Sequence, residues 1–544
     1  MLLFRSQINP RRILKKPPAF LAALMLAGAT WSSAISLAET LAVRPHRTAD
    51  IATDSTASRA LEQARKQGPL ALRAFLYAMP KGSDLHVHLS GAVYAESFLR
   101  AGAEDGLCVN PQTLSFVRSS SSDQKGCAKD TVAAANVTRD QHLYDALIDA
   151  FSMRSFVPSN GNSGHDHFFD TFDKFGGTSK AHLGEWIDEV VTRAAAQNEQ
   201  YMELMHTPDF GKAAALANKV GYHSDFAQYR QLLLDGGLRD SIPEIQAQMN
   251  EAEANRRKLE DCDGPAARPA CKVEVRFIYQ VLRGLPKEVV FAQTLLAFEV
   301  ASADSRFVGL NFVMPEDGYV SMNDYRLHMQ MLDTLHTLYP KVHISLHAGE
   351  LAPGMVTPDG LSFHIRAAVE QGHAERIGHG VDVMYEDRPY DLLKEMASRH
   401  VMVEINLTSN DVILGIKGND HPLAFYRKYG VPVAFSTDDE GVSRIDLTTE
   451  YVRAVETYAL TYPELKQMIR TGIEHSFLPG ASLWTRKADL KQPGEQLDQP
   501  VAACQSQLGR PRPSGACEAF LQSSDKAQQQ WELEQRFRAF EATF

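Results

Sequence analysis

Four short polar segments between Ser83 and Asp439 carry residues able to do chemistry. They are Ser83-Asp84-Leu85-His86-Val87-His88, His347-Ala348-Gly349-Glu350, Gly378-His379-Gly380 and Ser436-Thr437-Asp438-Asp439, and each closes a run that reads as a β-strand. His86, His88, His347 and Asp438 are the residue types that hold a divalent cation, with Glu350 and His379 left over. That is the inventory of a mononuclear zinc hydrolase with its own acid/base pair. His86 and His88 are two apart on a strand, so both imidazoles leave the same face, and two Zn–N bonds of about 2.0–2.1 Å can form without bending the backbone. An isolated H-x-H is more often a satisfied structural pair, and an isolated Glu after a strand is usually solvated. Matching partners at three other strand ends reverse that weighting.

Such a constellation needs strands that end together. Eight strand-like runs can be read, at 83–89, 201–207, 273–281, 307–314, 342–347, 376–379, 402–408 and 432–438. The stretches between them, such as 181–197 and 363–371, are mostly long enough for helices. Strand alternating with helix argues for a parallel sheet, and eight units for an α/β fold of the (β/α)8 TIM-barrel type, whose reactive groups gather at the C-terminal rim. Side-chain parity agrees. Leu85, Val87 and Leu89 share one face of the first run and Asp84, His86 and His88 the other, while in the seventh Val403, Ile405 and Leu407 oppose Glu404, Asn406 and Thr408. Two stretches exceed a minimal barrel. Residues 100–165 read as a cysteine-bearing insertion after the first strand, and 485–544 as a polar C-terminal extension. The barrel then occupies 39–484.

The chain has 544 residues, 44% of them hydrophobic, and a formal charge of −11. Arg5, Arg11, Arg12, Lys15 and Lys16 precede the apolar run Phe20 to Trp31, and Ser36-Leu37-Ala38 makes a cleavage site. Residues 1–38 therefore read as a signal peptide whose apolar run is too short to span a bilayer. Arg11-Arg12-Ile13-Leu14 loosely matches a twin-arginine leader. An uncleaved anchor is the alternative; after cleavage no membrane span is expected. Export to the periplasm or the medium follows. Loss of that segment removes basic residues and no acidic ones, so the remainder is still more acidic, a poor match for nucleic acid and a better one for a small neutral or cationic substrate. Six cysteines in an exported chain argue for disulfides. Fifteen connectivities are available, and pairing by proximity joins Cys108–Cys127, Cys262–Cys271 and Cys504–Cys517. No C-x-x-C occurs, which disfavours a cysteine zinc site and the P-C-x-x-C zinc deaminases that edit nucleic acids.

The motifs Leu85-His86-Val87-His88, Ser345-Leu346-His347-Ala348-Gly349-Glu350, Arg376-Ile377-Gly378-His379-Gly380 and Ser436-Thr437-Asp438-Asp439 resemble, in order and wording, the adenosine deaminase family of metal-dependent amidohydrolases, over residues 75–475. The leader, the insertion and Met79-Pro80-Lys81-Gly82 further resemble its extracellular, growth-factor-like branch. The resemblance implies a hydrolase acting on C–N bonds of cyclic amidines, with one Zn2+ per chain on His86, His88, His347 and Asp438. It implies conversion of adenosine or 2′-deoxyadenosine to inosine and ammonia by a zinc-activated hydroxide. His379 and Asp438 would orient the hydroxide and handle its proton. Glu350 would protonate the purine ring nitrogen beside the carbon attacked, and Asp439 would accept a hydrogen bond from the opposite purine edge, with His88 and the Met314 amide also meeting substrate. Two positions depart from the family pattern. Leu89-Ser90-Gly91 stands where an acidic residue usually follows H-x-H, and Met314 where the fourth strand usually ends in Gly. These keep open the same chemistry on another aminopurine or a modified nucleoside. A silent extracellular binding protein is the remaining alternative, disfavoured by the intact ligand set. A homodimer is compatible with the sequence.

Overall fold

Eight parallel strands form and pair in chain order: β1 (Gly82–His88), β2 (Glu199–His206), β3 (Glu274–Leu282), β4 (Phe307–Val313), β5 (His343–Ala348), β6 (Arg376–His379), β7 (Met402–Ile405) and β8 (Val433–Phe435). The computed structural model describes residues 56–118, 126–485, 497–508 and 510–544, so the leader over 1–38 lies outside the described residues. Among the described residues no helix is long and apolar enough to cross a membrane.

The sheet closes on itself beyond the end of β8. Val87 bridges Asp438, the Asp438 N–H donates to the His86 carbonyl at 2.8 Å, and the His88 N–H donates to the Asp438 carbonyl at 3.0 Å. The result is a (β/α)8 barrel. Its strands are buried on both faces, as parallel strands under helices must be. The helix Lys287–Ala303 is buried almost all round, from Val289 to Val300, because it packs on β3 and β4 with helices on either side. The helices read at 181–197 and 363–371 form over Leu183–Ala196 and His364–Glu370.

Two strands end three residues earlier than the sequence pattern suggests. The run 402–408 stops at Ile405, because Asn406 leaves the extended region and opens the helix Leu407–Leu414. The Thr408 N–H and hydroxyl are both taken by buried Glu450. The run 432–438 stops at Phe435, because Asp84 of β1 accepts from the Thr437 N–H at 3.0 Å and its hydroxyl at 2.7 Å, and Asp438 turns to φ +62°. Likewise Leu89 starts a helical turn instead of extending β1.

The segment between β1 and β2 carries a three-stranded antiparallel sheet (Cys108–Asn110 between Ser115–Val117 and Val132–Ala133) and the helices Gln141–Ala150 and Gly164–Phe175, the last running past the expected bound at 165. Its apolar cluster, built on Phe98, Phe116, Phe151, Phe168 and Phe175, takes in Ile413 and Val442 from the segments after β7 and β8. It therefore sits on the C-terminal rim. The three disulfides join Cys108–Cys127, Cys262–Cys271 and Cys504–Cys517, and no free cysteine remains.

The last helix, Asp525–Glu541, lies on the barrel wall. Leu533, Phe537 and Phe540 join the main core, with Phe540 edge-on to Phe75. Glu534 receives a two-pronged contact from Arg470 at 2.7 and 2.8 Å. Phe537→Ala is expected to cost about 3–5 kcal/mol in equilibrium denaturation. A loss below about 1 kcal/mol would make the helix an appendage.

Candidate active site

The seam between β1 and β8 delivers the first three groups. His86 and His88 project from β1 into the barrel, and Asp438 lies between them on the closing strand. β5 adds His347. His88 Nε2 lies 3.1 Å from His347 Nε2, and Asp438 Oδ1 lies 3.3 Å from His86 Nε2 and 3.2 Å from His88 Nε2. A tetrahedral cation with bonds of about 2.0–2.1 Å holds its ligand atoms roughly 3.3–3.4 Å apart, so the donor set fits zinc. Nε2 of His86 is fully buried with no hydrogen-bond partner, which suits an atom reserved for a cation.

Each ring is oriented from behind through Nδ1. Glu404 Oε2 holds His86 at 2.6 Å, Gln280 Oε1 holds His88 at 2.5 Å, and Asn311 Oδ1 holds His347 at 2.8 Å. An acceptor behind each Nδ1 places the proton there and leaves Nε2 as a lone pair facing the centre. Gln280 is fixed by donating to Thr207, and Glu404 by the buried Arg376 guanidinium at 2.6 Å. Burial alone would raise the Glu404 pKa, but Arg376 and His86 hold it below the usual carboxylate range. Gly378 makes room for this arrangement: a Cβ there would come within 2.5 Å of the His86 ring.

His379 and Glu350 lie beside the cluster. His379 Nε2 is 3.8 Å from Asp438 Oδ2 and His379 Nδ1 is 3.6 Å from Glu350 Oε1. Burial drives His379 down to about 3 and, reinforced by the charges of Asp438 and Glu316, drives Glu350 well above the usual carboxylate range. The same surroundings favour the protonated form of Glu350. Asp438 goes the other way: burial would raise it, but its contacts with His86 and His88 hold it below the usual carboxylate range. Asp439 is pushed up to about 8, chiefly by burial, and its Oδ1 has no partner. Gly91 lets that carboxyl in, since a Cβ at residue 91 would sit 1.5 Å from Asp439 Oδ1. Met314, His379 and Asp438 all adopt positive φ (+87°, +70° and +62°), a conformation costly for non-glycine residues and concentrated at functional sites.

The structure thus gathers His86, His88, His347, Asp438, Glu350 and His379 into one knot. Asp439 stands against the turn after β1. Met314 stands at the rim, its side chain 39% exposed. The sequence pattern puts Glu404 on the inward face of the seventh run without giving it a role. It missed Arg283 and Glu316. Arg283 donates to the carbonyls of Met314 (3.2 and 3.3 Å) and His347 (3.1 Å), joining β4 to β5. Glu316 accepts the N–H groups of Gly349 at 3.1 Å and Glu350 at 2.8 Å, and pairs with His364 at 2.5 Å. Burial would raise its pKa, but His364 and Arg283 hold it down at about 2, so a fixed anion clamps the loop bearing Glu350. Glu316 lies two positions after Met314, with only Pro315 between them, the available signal.

A family model described as adenosine deaminase matches residues 187–483, more than half of the chain, and the chain belongs to that family. The matched stretch begins after β1, so His86 and His88 reach the site through the fold. Curated relatives include the adenosine deaminases of Clostridium perfringens (33% identical over 135 residues, 25% of this chain and 37% of that protein) and Vibrio atlanticus (33% over 145 residues, 26% and 40%). The chain is therefore aligned with only about two fifths or less of their length. Among solved structures, the Arabidopsis N6-mAMP deaminase superposes with a TM-score of 0.47 at 21% identity, over 74% of this chain and 95% of that one.

Glu404→Gln is expected to weaken metal affinity about 10–100-fold, measured by competition with a chelator. Undiminished affinity would remove Glu404 as the group that sets the His86 tautomer.

Proposed function

We propose that this protein is a zinc-dependent hydrolytic deaminase that converts adenosine or 2′-deoxyadenosine to inosine and ammonia. The observation that carries the reading is a buried carboxyl beside a metal-fitting cluster: Glu350, His379 and Asp438 offer polar atoms within 4.8 Å of one another, and Asp438 belongs also to the set His86, His88, His347. A zinc ion held by that set would supply a water that ionises near neutral pH.

The chain's own groups do the rest. Asp438, ionised, takes the proton of the attacking water, and His379 orients that water. Glu350, kept neutral by burial, donates to the ring nitrogen beside the carbon attacked, which lets that carbon accept the incoming oxygen. Asp439, buried and with Oδ1 free of any hydrogen-bond partner, accepts through that oxygen from the opposite edge of the purine. His88, the ligand histidine nearest the opening with 12% of its side chain exposed, borders the substrate. The Met314 amide is a further donor. The amine departs as ammonia once it has gained a proton, and the C–N bond gives way to C–O.

One observation favours a second substrate. Met314 holds a glycine-like φ of +87° and sends a side chain over the rim beside Gly284, and no acidic residue follows His88. Both changes bear on the sugar and base contacts and leave the metal chemistry alone, so another aminopurine or a modified nucleoside fits the same machinery. The disulfides and acidic charge suit an exported enzyme, in the periplasm or outside the cell.

Ammonia release across a panel of aminopurines, nucleosides and nucleotides tests the reading, with turnover of adenosine expected. Silence on all of them would refute it. Glu350→Gln should keep its metal and lose roughly 10²–10⁴-fold in kcat; a near-normal rate would remove Glu350 as the proton donor.

A further inference from the structure

Behind His379 runs a line of hydrogen bonds with a fixed direction. It begins at the backbone N–H of Leu423, the first residue of the helix Leu423–Tyr429 and so a donor without an intrahelical acceptor. That N–H donates to His421 Nδ1 at 3.2 Å. A backbone N–H can only donate, so His421 Nδ1 carries a lone pair and its Nε2 carries the hydrogen. His421 Nε2 lies 3.1 Å from Asn410 Oδ1, and Asn410 Nδ2 lies 2.9 Å from His379 Nδ1. Turning the Asn410 amide over would set its NH2 against the His421 N–H, two donors face to face. The order is therefore forced along the whole line, and the last acceptor is His379 Nδ1. Glu350 Oε1 at 3.6 Å is too far to take over this contact. Asn410, His421 and His379 are all buried. Burial, reinforced by the Arg453 charge, holds His421 down at about 4, so it stays a one-donor, one-acceptor ring at neutral pH.

We propose that Asn410 and His421 are positioning residues that lock His379 as its Nε2–H tautomer, so that His379 offers a donor to the attacking water and leaves removal of the proton to Asp438. This tautomer is opposite to that of the three ligand histidines, whose Nδ1 atoms carry the hydrogen and whose Nε2 atoms are bare. Nε2 of His379 has no hydrogen-bond partner and lies 3.8 Å from Asp438 Oδ2, where a donor is useful and a lone pair would repel the carboxylate. The chain thus separates a fourth histidine from the ligand set by protonation state as well as by place. The catalytic half of the proposal rests on the deaminase reading; the tautomer does not.

Neutron diffraction from crystals of the metal-loaded protein reads the tautomer directly. A deuteron is expected on Nε2 and none on Nδ1 of both His379 and His421. A deuteron on His379 Nδ1 would overturn the proposal whatever the substrate proves to be, whereas failure of the deaminase reading would show as silence across the aminopurine panel. In turnover, Asn410→Asp substitutes an acceptor on both sides and should force His379 to Nδ1–H. Its kcat is expected to fall roughly 10²–10⁴-fold with KM changed less than threefold and metal content intact. His421→Gln can accept from Leu423 and donate to Asn410, so it should stay within tenfold of the parent, while His421→Leu should not. An Asn410→Asp variant with the parent kcat, or equal losses in the two His421 variants, would contradict the directional role. If Asn410→Asp does not fold, the neutron map of the parent decides.

Discussion

The two backbone hydrogen bonds that flank Asp438 bear on everything else. One runs from its N–H to the His86 carbonyl and the other from the His88 N–H to its carbonyl. They close the barrel, and they set three of the four candidate ligands on one seam. A barrel that failed to close there would lose both its last strand pairing and its reactive centre. The left-handed turn at Asp438 is how the chain does both at once: β8 ends at Phe435, and the backbone must swing inward to meet β1.

Gathering so many titratable groups out of water is costly unless their charges are matched. The structure matches them in two places. Arg376 sits below the cluster, 2.6 Å from both Glu203 and Glu404, and through Glu404 it steadies His86. Arg283 and His364 sit to one side and keep Glu316 anionic. Buried carboxyls in one centre thereby take different states. The charged form is favoured at Glu404, Glu316 and Asp438, each against a cation or a cluster of histidines, and the neutral form at Glu350. A protonated acid next to an ionised base, each fixed by its surroundings, is what acid/base chemistry at neutral pH requires.

The ligand set was legible in the sequence because strand parity and strand ends are one-dimensional signals. His86 and His88 could be placed by strand parity and His347 by its position at a strand end, and the eight strands fell close to where they form. The terminal turns were not legible. Asn406 and Thr437 look like continuations of extended runs, and only Glu450 and Asp84, distant in sequence, divert them. Glu316 and Arg283 were hidden for the same reason: their roles consist of contacts to the backbone of other strand ends, which leave no periodic trace. Asn410 and His421 belong with them, since the direction of their hydrogen bonds is set by the start of a helix. Met314 was noticed as a departure, and its positive φ gives the physical reason that glycine suits this position.

The central claim is that His86, His88, His347 and Asp438 together hold one zinc ion per chain. A crystal structure of the purified, metal-loaded protein, with anomalous difference maps on either side of the zinc absorption edge, tests it most directly. The account requires a single strong peak about 2.0–2.2 Å from Nε2 of the three histidines and from an Asp438 oxygen. A peak held by other residues, or none at this seam in protein shown to contain zinc, would contradict it.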